Sequence, residues 1–364
     1  MRKHFLSDFD FSILFVTILI CIIGLFNLYS ATHGGIIGAQ KFSSQLTWMG
    51  VGFVVLIIST LVDYRIIERF VYPIFGFLIF LLILVLIFGT VEHGSRRWLN
   101  LGGPRIQPSE FMKLGIVLCL AKYFHEERKL RGYGLRDLMI PFGLLMIPMF
   151  LILVEPDLGT ALMIGLIGFS MFLFIKMKLK SFLIIATIGF ITVPIAWQFV
   201  LKGYQKERVL TFLNPERDPR GKGFHALQSR IAIGSGQFLG KGYRKGTQTQ
   251  LNFLPEQRTD FIFSVFAEEH GFKGSVLLIG LYLWFLSLGM RASRRAKDKF
   301  GALLAYGITT IFFWQIFVNI GMVTGLLPIV GVTLPFMSYG GSSILTSLIL
   351  VGLLINISMR RYMF

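Results

Sequence analysis

The sequence predicts an all-α polytopic membrane protein. It has about ten transmembrane helices and one long extracytoplasmic loop between the seventh and eighth. Three observations carry that prediction. Of 364 residues, 54% are hydrophobic and only 15% charged, where a soluble domain carries nearer a quarter. Mean hydropathy is +0.69. Many apolar runs approach the roughly 20 residues that cross a bilayer, and the basic residues between them alternate from sparse to dense.

Spans are predicted near 11–30, 45–62, 70–89, 108–124, 138–154, 157–175, 181–201, 272–290, 301–323 and 341–358. The first follows Met1-Arg2-Lys3. It is too long for a signal-peptide core of about 7–15 residues and lacks a small-x-small cleavage pattern, so it reads as a span. An even number places both termini on one side. With the N-terminus cytoplasmic, the inside segments carry nineteen Lys and Arg, and the short outside loops carry four: Lys41, Arg96, Arg97 and Arg105. No other phase gives this asymmetry. The net charge of +17 is therefore a topology signal rather than a nucleic-acid one. Cys21 and Cys119 lie inside apolar runs and read as small buried hydrophobes, with no disulfide framework or zinc spacing.

Residues 202–271 form the long outside loop. From Lys202 to Asp260 it holds eleven Lys and Arg against five acids. A loop this long is largely exempt from the orientation rule. Phe212, Phe224, Leu227, Ile231, Phe238, Tyr243 and Phe253 supply anchors, so short helices on the outer membrane face are expected rather than disorder. Gly221-Lys222-Gly223, Gly234-Ser235-Gly236 and Gly240-Lys241-Gly242 allow backbone amides close to a ligand, which suits a phosphate beside basic side chains. A basic surface that meets anionic headgroups is the plainer alternative.

Four polar clusters interrupt the apolar pattern. Thr259-Asp260 opens FIFSVFA, and Glu268-Glu269 closes it. An acid at the edge of an apolar helix marks a functional site, while a Thr259 cap with Asp260 as a first-turn acid is the structural alternative. Before span four come Arg96, Arg97 and Trp98, then Gln107-Pro108-Ser109-Glu110, with Lys113 one turn on. Pro108 suits a first helical position. Glu110 and Lys113 are i, i+3 neighbours that can pair, either facing a wet cavity or as an interfacial pair with a snorkelling lysine. Glu155-Pro156-Asp157 reads as a tight turn in which Asp157 caps the next helix. Leu334-Pro335-Phe336-Met337-Ser338-Tyr339-Gly340-Gly341 reads as a re-entrant segment, tolerated only where it lines protein or a cavity. All four fall on one face, which argues for a site there.

Together GSRRWLNLGGPRIQPSEFMK, EPDLGTA, GKGFHALQSRIAIGSGQFLGKGYRKGTQTQLNFLPEQRTDFIFSVFAEEHGFKG and LPFMSYGGSS resemble the SEDS family of peptidoglycan polymerases, in order and across most of the chain. KGTQTQLNFLPE and LAKYFHEE are similar to the elongation branch rather than the division branch. Two departures stand out: Glu155 where the family commonly has glutamine, and Gln237 where it commonly has glycine. The resemblance implies glycosyl transfer from lipid II into β-1,4 strands, with release of undecaprenyl diphosphate. It implies that Asp260 is the catalytic acid-base residue. Arg208, Lys241 and Arg97 are then the candidates for the diphosphate, and Glu110 and Lys113 position the cavity wall. A divalent metal such as Mg or Mn, held by Asp260, is the competing arrangement. A class B penicillin-binding protein and the elongation machinery are the implied partners, in a bacterial inner membrane. A lipid flippase is the alternative of another class. It would suggest paired broken helices in two similar halves and polar groups at the midplane, and the sequence has neither.

Overall fold

The computed structural model describes residues 9–32, 36–92, 95–100, 105–127, 129, 132–195, 198, 203–214, 222–251 and 257–360. Among them the helices are α1 (Phe11–Ala31), α2 (Ile36–Leu61), α3 (Tyr64–Arg69), α4 (Val71–Phe88), α5 (Pro108–Glu126), α6 (Met139–Val154), α7 (Leu158–Phe174), α8 (Leu179–Ile195), α9 (Gly203–Leu213), α10 (Lys222–Ser235), α11 (Thr247–Gln250), α12 (Ile262–Arg295), α13 (Lys299–Thr324) and α14 (Gly341–Met359). Three strands, β1 (Thr90–Glu92), β2 (Ser95–Asn100) and β3 (Arg105–Ile106), join α4 to α5.

Each predicted span falls at least in part on a helix, with α8 described to Ile195 rather than 201 and α12 beginning at Ile262 rather than near 272. Among the described residues seven helices (α1, α2, α4, α6, α12, α13 and α14) are long and apolar enough to cross a membrane. The other three places are filled by α7 and α8, of 17 residues each, and by α5, which carries Glu110, Lys113 and Lys122 along its length. Burial sorts centre from rim. In α14, 89% of the apolar window is buried, against 28% in α4. Phe77, Phe80, Ile87 and Phe88 of α4 point outward, as a lipid-facing helix requires.

Two further elements differ from the sequence reading. Helix α2 begins at Ile36 rather than near 45, with Ala39, Gln40 and Ser43 exposed and Gln45 buried. The Gln45 amide donates to Ser338 O (3.3 Å) and accepts from Gly340 N (3.1 Å). The stretch before α5 is an antiparallel sheet of order β1-β2-β3, with Thr90 opposite Trp98 and Asn100 opposite Arg105. It carries Arg97 and Trp98 towards the helix ends.

The predicted short helices in the long loop are α9, α10 and α11. Of the expected anchors, Phe212 and Phe224 are half-buried. Leu227, Ile231, Phe238 and Tyr243 are exposed, and Phe253 lies outside the described residues. Helix α10 instead turns Ala226, Ser229 and Ala232 inward. The apolar residues on its other face suit a membrane surface.

Helix α12 is broken at Gly271, where φ is 64° and ψ −161°. The break removes the helical bonds from Phe272 N to Glu268 O and from Lys273 N to Glu269 O. All four groups find new partners in one loop. Phe272 N donates to Gln237 O (2.8 Å) and Lys273 N to Phe238 O (3.1 Å). Lys241 N and Gly242 N donate to Glu268 O and Glu269 O, each at 3.0 Å. A β-carbon at Gly240 would lie 2.1 Å from Glu269 O, and one at Gly236 2.1 Å from Ala267 O. These glycines serve close backbone packing, a correction to their reading as a phosphate cradle. Gly221 lies outside the described residues.

Gly271→Ala is expected to destabilise the fold by roughly 2 kcal/mol or more, since its β-carbon would also sit 2.3 Å from Gly240 N. Thermal unfolding in detergent would show a lowered midpoint. An unchanged midpoint would mean the break does not need glycine.

Candidate active site

The N-terminal ends of α5, α7, α12 and α14 meet around a cavity of about 390 Å³. The residues at their N-caps, Gln107, Asp157, Phe261 and Gly340, all line it. Helix N-termini carry partial positive charge and unsatisfied N–H groups, so their convergence favours an anion. Arg97 and Trp98 line the same space from β2, Glu110 and Lys113 from α5, Asp260 from the turn before α12, and His225 from α10. All four polar clusters of the sequence contribute to this one cavity.

Asp260 sits on a turn clamped from three directions. The Gln257 amide donates to Ala31 O at the end of α1 (3.1 Å). Ser338 Oγ donates to Thr259 O (2.6 Å) and Tyr339 N to Arg258 O (2.8 Å), from the segment before α14. Asn319 of α13, fully buried, donates from Nδ2 to Asp260 O (3.0 Å) and to Val332 O (2.7 Å). Helix α12 starts at Ile262, its N-cap residue Phe261 makes no side-chain cap, and no acid stands in its first turn. The capping alternative for Asp260 therefore fails. A methyl group added at Gly331 would lie 3.4 Å from Asp260 Oδ2, so the 326–333 segment forms the wall beside the carboxylate. Asn319 was not legible as a site residue. A single buried amide in an apolar helix gives no pattern.

The wall charges are paired. Lys113 Nζ is 2.8 Å from Glu110 Oε1, and the two residues are 2% and 8% exposed. This lysine does not snorkel, which corrects the interfacial alternative. Asp157 caps α7, accepting from Thr160 N (3.2 Å) and Thr160 Oγ1 (2.9 Å). It also accepts from the Gln107 amide (3.3 Å) and lies 3.7 Å from Arg97 Nε. A second Arg97 nitrogen donates to Pro156 O at 2.7 Å.

Comparison with known proteins agrees in one direction. The family described as cell cycle protein (FtsW, RodA and SpoVE) matches residues 10–363. The chain belongs to this family. Peptidoglycan glycosyltransferase MrdB of Escherichia coli strain K12 is 40% identical over 317 residues, 86% of this chain and 85% of that protein. Peptidoglycan glycosyltransferase RodA of Treponema pallidum is 32% identical over 440 residues, covering 99% and 100% of the two chains. Among solved structures, a chain described under "Structural coordination of polymerization and crosslinking by a peptidoglycan synthase complex" superposes with a TM-score of 0.84, 31% identity and coverage of 98% and 99%. The rod shape determining protein RodA of Thermus thermophilus superposes at 0.74, with 28% identity and 98% of both chains.

One predicted site residue of this FtsW/RodA/SpoVE family member, Lys241, stands apart from the cavity. Lys241 Nζ is 2.8 Å from Glu268 Oε1 and 2.8 Å from Thr247 Oγ1. Glu268, wholly buried, also accepts from Gln248 N (3.0 Å), Thr249 N (3.2 Å) and Thr249 Oγ1 (2.9 Å). Lys241 thus ties the loop to the broken helix. Arg208 falls on α9, and its side chain lies outside the described residues. The neighbouring Glu269 accepts from Ser30 Oγ and from Arg244 N (3.1 Å), binding the loop to α1. Breaking a buried pair on one side costs about 3–5 kcal/mol. Lys241→Met should therefore lower the unfolding midpoint, and adding Glu268→Gln should recover part of the loss. A double-mutant cycle without coupling would refute the pairing.

Glu155 is 1% exposed, and no hydrogen-bond partner among the described residues reaches its Oε1. Burial pushes its carboxyl up to about 8, the Asp157 charge adds to the rise, and Arg97 opposes it. Between the ordinary value of 4.5 and 8 the unfolded chain ionises while the folded one keeps its proton. Stability is therefore lost as pH rises through that window, by at most about 1.4 kcal/mol per pH unit. Glu155→Gln should remove that loss. The midpoint gap between variant and wild type should widen from pH 5 to pH 8 and level off above it. A gap constant with pH would refute the neutral-acid reading.

Proposed function

We propose that the chain polymerises peptidoglycan as an inverting glycosyltransferase, joining lipid II disaccharide units into β-1,4 glycan strands during cell elongation. The observation that carries the reading is a rigidly held carboxylate, Asp260, on a cavity ringed by four helix N-termini. The α-linked diphosphate of the donor becomes a β-glycosidic bond, so attack must come from the face opposite the leaving group, with one base on that side. Asp260 takes the proton of the acceptor's 4-hydroxyl as that oxygen attacks the anomeric carbon. The bond to the diphosphate breaks as the new bond forms, and undecaprenyl diphosphate departs as an anion. Charge stabilisation at the diphosphate is supplied by the helix N-termini and by Arg97. Glu110 and Lys113 hold the wall.

A divalent ion such as Mg or Mn does not find a ready site. Among the described residues no three of His, Cys, Asp and Glu are placed to hold an ion, and Asp157 and Glu110 each face a cation. No step is routed through a metal. The charge bias of the sequence supports cytoplasmic termini with the cavity on the extracytoplasmic face of the inner membrane. Relatives named MrdB and RodA support the elongation role. A solved neighbour described as part of a synthase complex that coordinates polymerization and crosslinking supports a class B penicillin-binding protein as partner.

The test is strand synthesis from lipid II by purified protein, with and without a penicillin-binding partner that lacks its own polymerase domain. Asp260→Ala and Asp260→Asn should lower the rate by about 10²–10⁴-fold while the protein stays folded. If wild type makes no strands where E. coli MrdB does, and vesicles show lipid II crossing the bilayer, the chain is a transporter.

A further inference from the structure

Two buried asparagines enclose the start of α12. Asn27 on α1 and Asn319 on α13 have almost no exposed surface. Both aim their amide nitrogens at backbone carbonyls of the Asp260 turn and the residues after it. Asn319 Nδ2 donates to Asp260 O (3.0 Å), and Asn27 Nδ2 donates to Ile262 O (2.9 Å). Among the described residues no donor reaches Oδ1 of either side chain. A buried polar atom without a partner is uncommon and opposes folding. Two of them beside one turn are not what stability alone would place in apolar helices.

The turn gives these amides their purpose. Helix α12 begins its bonding late: Ser264 N and Val265 N both donate to Phe261 O, at 3.0 and 3.4 Å. Asp260 O comes before this ladder, and a buried carbonyl calls for a donor. Asn319 brings one from a neighbouring helix. Its nitrogen carries two N–H groups, and it also donates to Val332 O at 2.7 Å. Val332 follows Gly331, where an added methyl group would lie 3.4 Å from Asp260 Oδ2. One planar nitrogen thus sets the Asp260 backbone against the wall that its carboxylate faces. Asn27 fixes the chain two residues further on. With either amide turned over, Oδ1 would meet carbonyl oxygens, so the carbonyls select the observed orientation. Neither asparagine belongs to the lining of the Asp260 cavity. Their effect on a reaction there passes through the backbone.

We propose that Asn319, with Asn27 as its companion, is a positioning residue for the Asp260 carboxylate. This rests on the polymerase reading, in which Asp260 must come within hydrogen-bond reach of the acceptor hydroxyl. An aspartate side chain has only two torsions, so its backbone largely decides where the carboxylate stands. A misplacement of about 1 Å can cost roughly 100-fold in rate. The two N–H groups matter here, not the volume: Asn319→Asp keeps the shape and turns donors into acceptors.

The experiment measures strand synthesis from lipid II by the full chain with its penicillin-binding partner, for Asn319→Ala, Asn319→Asp and Asn27→Ala, with unfolding midpoints recorded. Asn356→Ala is the control. Asn356 is also a buried asparagine, donating to Ser59 O (3.2 Å), Thr60 O (2.7 Å) and Val62 O (2.6 Å). It lies roughly 22 Å along α14 from the end that meets the cavity, at 1.5 Å per residue. In the expected result Asn319→Ala and Asn319→Asp lower kcat by about 10–100-fold, Asn27→Ala by about 3–10-fold, and KM stays within about twofold. Asn356→Ala lowers the midpoint but leaves kcat of the folded protein within about twofold. In an Asp260→Asn background, which keeps the backbone carbonyl, Asn319→Ala changes the residual rate by less than about twofold, because the group to be positioned is gone.

Positioning is overturned if Asn319→Ala and Asn27→Ala both keep kcat within about twofold of wild type. It is also overturned if their losses match that of Asn356→Ala at equal midpoint, or are the same with and without the Asp260 carboxylate. Should Asn319→Ala not fold, Asn27→Ala decides by the same criteria. An active Asp260→Asn sinks the base assignment, and the positioning role with it. An inactive Asp260→Asn beside normal asparagine variants sinks only the positioning role.

Discussion

A helix interrupted inside an apolar bundle leaves peptide groups that water cannot reach, and each must find a partner. At Gly271 the lost helical pairs free two carbonyls and two N–H groups. Residues 237–242 answer all four with their own backbone. The loop can come this close only because Gly236 and Gly240 have no side chains. The carboxylates of Glu268 and Glu269, one turn before the break, then hold Lys241, the start of α11, Arg244 N and the end of α1. Backbone pairing sets the register, and the buried charges lock it. The long loop is a structural part of α12 rather than an appendage to it.

The site inherits this order. With α12 divided, its first turns run from the Asp260 turn to the break, packed against α10 through Ser229 and Ser264. Asp260 therefore belongs to a short rigid unit whose other end is stapled to the loop. Its backbone is fixed by Asn319, which also holds Val332, so the two walls of the cavity share one amide. A carboxylate that must meet a hydroxyl within hydrogen-bond reach gains from such preorganisation.

Much of this was legible in the sequence, for a physical reason. An apolar run long enough to span and a polar cluster that interrupts it are both local signals, so the helices and the four site clusters could be read directly. Their convergence on one face followed from counting spans. What failed depended on distant partners. Glycines 236 and 240 look like a phosphate loop until the backbone of Ala267 to His270 is set against them. Lys241 looks like a free cation until Glu268 is opposite it. The β1–β3 sheet is too short for a two-residue alternation to show. The polar start of α2 looks like loop because Gln40, Lys41, Ser43 and Ser44 carry no apolar run, and the partners of the buried Gln45, Ser338 and Gly340, lie near the other end of the chain.

The departure at Glu155 can be understood in the same terms. A buried carboxylate beside Asp157 would place two negative charges around one guanidinium, and its desolvation would oppose folding. Held protonated by burial, the side chain instead has the charge, size and planar head group of a glutamine. The Arg97–Asp157 pair then keeps a single carboxylate, and the α7 cap is undisturbed. Burial thus makes the acid an amide-like neutral group. That conversion reverses when the proton leaves, so the turn between α6 and α7 carries a dependence on alkaline pH that glutamine would not have.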